Sequence, residues 1–286
     1  MISDITLGQY FPGFSPLHKL DPRSKIMLAV LFIVGVFLAS NPTSFLILIF
    51  ITALLILVSR ISFKVVLKGI KPIIFILIFT SLINVFLTKG EGAPLVEFWI
   101  IKIYLEGIIR AVFMSLRVII LIMGTSMLLT YTTSPIALTD GLESLLKPLK
   151  LIGVPVHVFA MMMTIALRFI PTLVEETDKI MNAQKSRGAD FSSGSLISRA
   201  KALIPLLVPL FVSSFKRAEE LATAMECRCY RGDKNRTKYK ELKYRLLDFG
   251  WLTVALILFA SVILLKILPY QYEVAHILYD IMFYRI

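Results

Sequence analysis

Two arginines stand where a helix is expected to end beside small residues: Ser186-Arg187-Gly188, and Cys227-Arg228-Cys229 forty-one positions later. A guanidinium is always charged and presents a planar fork that fits a carboxylate, while small neighbours let a partner's backbone approach closely. An arginine in a last helical turn also meets the negative end of the helix dipole. The chemistry on offer is therefore recognition of an acidic partner by two charged tips, or two solvated charges that merely complement their own helices. Other chemistry is poorly supplied. His18, His157 and His276 lie far apart and, with Cys227 and Cys229, make no four-ligand set, so no metal site is expected. Two cysteines cannot build a disulfide framework. Glu175-Glu176-Asp178 is the densest acidic cluster and reads as a solvated helix face. No G-x-x-x-x-G-K-S/T loop occurs, so the chain is not expected to hydrolyse ATP alone, and no catalytic residue is assigned.

The elements that must position the tips belong to a greasy chain. Its 286 residues are 57% hydrophobic and 17% charged, with mean hydropathy +0.80. This excludes an ordinary soluble domain and points to an all-α, polytopic membrane protein. Five transmembrane helices are expected, at about Ile26–Ala39, Thr43–Val58, Pro72–Leu87, Leu105–Thr130 and Leu246–Ile267. Asn41-Pro42 turns the first into the second, and Arg60, Lys64, Lys68 and Lys71 form a basic connector to the third. A polar link through Lys89, Gly90, Gly92 and Pro94 precedes the fourth. The division follows as 1–130 for an N-terminal segment and four spans, 131–245 for a cytoplasmic helical region, and 246–286 for the last span and tail.

Of the 31 lysines and arginines, 25 fall on one side of this layout, which puts the N-terminus and residues 131–245 in the cytoplasm of a cell-membrane protein and the C-terminus outside. The +12 net charge is thus a topology signal rather than a nucleic-acid footprint. The first 25 residues lack the apolar core of a cleavable signal. Arg110 and Arg117, two turns apart, share one face of the fourth span. They read either as a substrate pathway or as a snorkelling arginine and a buried structural bond.

Within 131–245 the pattern predicts helices at about Thr139–Leu149, whose Asp140 and Glu143 in the first turns and Lys147 near the end suit the helix dipole, at Val156–Ser186 and at Leu196–Cys229, the last bent at Pro205 and Pro209. Gly188 suits the left-handed position that closes the second. Gly232 is expected to take that role for the third. The apolar runs Met161–Ile170 and Ala202–Val212 are greasy enough to touch the bilayer.

Three segments resemble one family: Ser15-Pro16-Leu17-His18-Lys19-Leu20-Asp21-Pro22-Arg23-Ser24-Lys25, Ala183-Gln184-Lys185-Ser186-Arg187-Gly188, and Ala224-Met225-Glu226-Cys227-Arg228-Cys229-Tyr230. They are similar to the N-terminal sequence and the two Ala-Arg-Gly-type signatures of the CbiQ-like T components of energy-coupling factor transporters. The chain departs from them at Ser186, Cys227 and Cys229, which remain small. The resemblance implies a non-catalytic subunit whose long cytoplasmic coupling helices dock, through Ser186, Arg187, Gly188, Cys227, Arg228 and Cys229, into grooves on two ABC ATPase subunits. Those subunits would hold ATP and Mg, with no cofactor on this chain. It also implies a membrane S component, one of several interchangeable ones where the T component is shared, that binds a vitamin or other micronutrient. The S component would rest on a platform drawn from Met161, Met162, Met163, Leu206, Leu207, Leu210 and Phe211. Asp21-Pro22-Arg23 would fix the first span at the interface. A conventional ABC importer permease is the alternative, and an integral-membrane enzyme or an accessory scaffold are the others.

Overall fold

A computed structural model describes residues 10–88, 96–98, 101–189, 191, 195–232 and 241–267. The expected link through Lys89, Gly90, Gly92 and Pro94, the basic exit at Asp233 to Arg236, and His276 lie outside them. The architecture is helical, as expected, apart from one short antiparallel ribbon: β1 (Val96–Phe98) pairs with β2 (Ile101–Ile103), Val96 opposite Ile103. The chain forms two compact units, one of residues 10–134 with 242–267 and one of residues 135–241.

Among the described residues the first unit is built from six α-helices. α1 (Pro22–Leu38) starts on Asp21, whose carboxylate accepts the Arg23 amide while Pro22 fills N1, where no donor is needed. Asn41 and Pro42 open α2 (Pro42–Ser59), which Arg60 closes in the left-handed region. The basic connector is itself helical. α3 (Phe63–Ile70) carries Lys64 and Lys68 one turn apart, with Val66 buried between them, and a 3₁₀ turn at Lys71–Ile73 containing Pro72 joins it to α4 (Ile74–Leu87). The proline lacks a donor and tightens the joint without ending the helix. α5 (Leu105–Thr125) runs on as a π-helical turn, Ser126–Tyr131, whose Met127, Leu128 and Tyr131 are buried. α6, α7 and α8 make up the second unit; α9 (Leu246–Ile267) returns to the first.

α1 packs against α5 and α9, around Leu28, Phe32, Val36, Leu48, Leu128 and Val262. The Phe32 ring fits here because Gly124 on α5 leaves room; a Cβ there would overlap it. Arg117 is a structural bond: its guanidinium donates to the Ala39 carbonyl at 2.7 Å and lies 5.6 Å from the Phe45 ring centre, capping the end of α1. Arg110 is exposed.

Among the described residues five helices are long and apolar enough to cross a membrane: α2, α3 continuing into α4, α5 with its π turn, α7 and α9. The number matches expectation but the set does not. α1, at 17 residues and about 26 Å, lies at the short end of what spans a hydrocarbon core. α7 (Val156–Ser186) qualifies instead, through the apolar first half that carries the methionines. α4 buries no residue within the chain, leaving Phe75 and Phe79 exposed for lipid or a partner.

In the second unit, α6 (Pro135–Leu145) begins four residues earlier than the charge order suggested, with Pro135 as its first residue. Glu143 turns inward to His157 Nδ1 at 3.0 Å. Pro148 sits in a 3₁₀ stretch, Lys147–Ile152, which Gly153 closes at φ +86°. α7 then holds the bounds its flanking Val154-Pro155 and Gly188 dictate. α8 (Leu196–Cys227) is continuous through Pro205 and Pro209.

Candidate partner-docking tips

The ends of α7 and α8 have the same backbone. At the first, Gly188 N–H donates to the Lys185 carbonyl and Ala189 N–H to the Gln184 carbonyl; at the second, Cys229 N–H donates to Glu226 and Tyr230 N–H to Met225. These are two Schellman motifs with an arginine at each C-cap: Arg187 N–H reaches Ala183 and Gln184, Arg228 N–H reaches Ala224 and Met225. The left-handed residue is Gly188 at φ +89° in one and Cys229 at φ +55° in the other. Cys229 thus takes the position expected of Gly232, although Gly232 also has positive φ, at +74°. The paired reverse hydrogen bonds hold a non-glycine residue in a conformation that costs an L-amino acid about 1–2 kcal/mol.

Each tip presents its guanidinium outward. Ser186, Arg187, Gly188, Cys227, Arg228 and Cys229 are all exposed, both thiols are free, and neither guanidinium has an acidic partner among the described residues. Two desolvation-ready cations on rigid, satisfied helix ends suit a carboxylate supplied by another protein.

The tips are also braced alike. Glu176 on α7 accepts from Arg217 NH2 through Oε2 at 2.7 Å and from Ser213 Oγ through Oε1 at 2.6 Å, both on α8. Glu176 lies eleven residues before Arg187, and Arg217 eleven before Arg228, so each tip projects about 16 Å beyond the clamp. The cluster Glu175-Glu176-Asp178, read from sequence as a solvated face, contributes this inter-helix contact. Nothing local in the sequence signals it; the shared 41-residue offset of both pairs is the one trace.

The platform residues divide. Met162, Met163, Leu207 and Phe211 are exposed and Met161 and Leu210 partly so, but Leu206 is only 6% exposed and belongs to the interior. The open apolar stripe on α8 includes Leu203, Ile204, Val208 and Val212 of the expected Ala202–Val212 run and extends one turn further to Phe215. Phe211 and Phe215 meet edge to face at 4.7 Å. Among the described residues no group of three or more His, Cys, Asp or Glu side chains can hold a metal.

The family described as cobalt transport protein, CbiQ, matches residues 13–239, which include both tips and the N-terminal segment. The energy-coupling factor transporter transmembrane protein EcfT of Clostridium kluyveri is 54% identical over 93% of this chain and 98% of its own length. EcfT of Bacillus subtilis is 47% identical over 93% of this chain and all of its own.

Proposed function

This chain belongs to the CbiQ family, and from that premise we propose that it is the energy-coupling subunit of a micronutrient importer, carrying ATP-driven motion from two cytoplasmic ATPase subunits to a membrane S component. The observation that carries the reading is the pair of matching arginine-capped Schellman tips. Each tip enters a groove on one ATPase subunit and its arginine meets an acidic group there. Truncating such a partly buried charge pair costs about 2–5 kcal/mol, much of it from the stranded partner charge. ATP and Mg belong to the partner subunits.

When nucleotide draws the two grooves together, each tip moves with its groove, and the Glu176 clamp makes the two arms equal. Motion at the tips becomes rearrangement of the apolar faces of α7 and α8, on which the S component rests. Methionines and unbranched apolar chains repack readily against different surfaces, which suits a seat shared by several S components. The excess of Lys and Arg supports a cytoplasmic N-terminus and cytoplasmic tips; the apolar first half of α7 then lies at or in the bilayer while its charged last turns leave it. A conventional permease with its own substrate path is the second reading, and two equal tips in place of one coupling loop favour the first.

The test is co-purification in mild detergent of the ATPase subunits with wild type and with Arg187→Glu plus Arg228→Glu. The double reversal is expected to lose the ATPases and uptake; equal recovery of both overturns the docking model.

A further inference from the structure

The N-terminal motif Ser15 to Lys25 and Asp248 on α9 together supply the most buried charges of the described residues. Asp248 is fully buried and Lys25 is 2% exposed. Asp248 is the third residue of α9. Its Oδ2 accepts the Arg245 amide at the start of α9 at 2.7 Å, and its Oδ1 accepts the Asp21 amide at the start of α1 at 2.8 Å. One carboxylate therefore caps two helices 227 positions apart in sequence. Lys25 Nζ donates to the Thr132 carbonyl at 2.7 Å and to Thr133 Oγ1 at 3.2 Å. Arg23 reaches the Leu242 carbonyl at 3.4 Å and lies 5.2 Å from the Tyr244 ring centre. Phe11 N–H donates to the Tyr131 carbonyl.

These partners are not scattered. The chain leaves this unit after Ser134 and re-enters it at Leu242. Residues 131–133 lie just before the exit, and residues 242–248 are the first after the return. Both connections are bonded to the same eleven-residue segment.

We propose that Asp21, Arg23, Lys25 and Asp248 form a positioning lock that holds both connections to the coupling-helix unit at one point. Lys25 and Arg23 each bond a main-chain carbonyl of a connection, and Asp248 bonds the main-chain amides that start α9 and α1, so the lock holds the main chain itself. That the lock serves force transmission rests on the proposed function; that it holds the two connections does not, and is tested apart from any ATPase.

The measurement is amide hydrogen exchange of the full chain in lipid nanodiscs, comparing wild type with Lys25→Met and Asp248→Asn. An asparagine keeps one acceptor for two amides, so it is the milder change and carries the test if the methionine variant does not accumulate. Exchange is expected to rise about tenfold or more in peptides covering both 128–136 and 241–249, with α2 and α4 unchanged, since bonds to charged groups are the stronger ones. A rise at only one connection, at neither, or equally throughout the unit overturns the lock.

Discussion

Replacing Gly188 by alanine isolates the backbone requirement of a tip from its charge. A Cβ at Gly188 would meet nothing within 4 Å, so the substitution introduces no clash, and its cost is that of placing an L-residue at φ +89°. That cost is about 1–2 kcal/mol, which lowers the population of the formed tip, and with it the affinity for an ATPase subunit, by roughly 5- to 30-fold. Cys229 at φ +55° already bears the same kind of strain. Cys229→Gly relieves it but adds the freedom of an unfolded glycine, about 0.5–1 kcal/mol, so the net gain lies between zero and about 1.5 kcal/mol, or roughly tenfold at most. The assay is titration of ATPase subunits against the chain in nanodiscs, with Arg187 and Arg228 intact in both variants. Gly188→Ala is expected to bind 5- to 30-fold more weakly and Cys229→Gly as well as wild type or better. Wild-type affinity for Gly188→Ala, or weaker binding for Cys229→Gly than for Gly188→Ala, refutes the claim that a left-handed turn presents the arginine.

Three other perturbations separate the parts of the fold. Gly124→Ala forces a methyl into the Phe32 ring and should lower stability by about 1–3 kcal/mol in thermal unfolding, with Phe32→Leu restoring much of it. Arg117→Met loses its bond to the Ala39 carbonyl and should cost about 1.5–3 kcal/mol while leaving ATPase binding unchanged in the same titration. Glu176→Arg or Arg217→Glu alone should speed amide exchange along the facing stretches of α7 and α8, and the double swap should slow it again; equal exchange in all three would remove the clamp from the mechanism.

The helices were legible wherever a local signal bounded them. Val154-Pro155 and Gly188 gave α7 both of its ends, and Asn41-Pro42 gave the turn into α2. α3 was hidden because Lys64, Lys68 and Lys71 read as a charge run, when their spacing is that of a helix face whose opposite side buries Val66. α6 was misplaced because Asp140 and Glu143 were read as first-turn acids, whereas Glu143 points inward to His157. α1 extends the expected Ile26–Ala39 run back to Pro22, where Asp21 caps it, and α7 joins an apolar first half, visible as Met161–Ile170, to charged last turns. Both arginines were visible as candidates, but the equivalence of their caps was not, since Cys229 has no intrinsic preference for the left-handed region. The Asp248 contact joins residues 227 positions apart, and no periodicity reports such a bond.

The chain's two cysteines, Cys227 and Cys229, flank Arg228 and are both exposed, so the native protein carries its own probe of the second tip. Maleimide labelling in membranes, with and without the ATPase subunits, tests the docking claim most directly. Free chain should label readily, assembled chain should be protected, and Arg228→Glu should restore labelling. Thiols that react equally fast in the free chain and the assembled transporter would contradict the account.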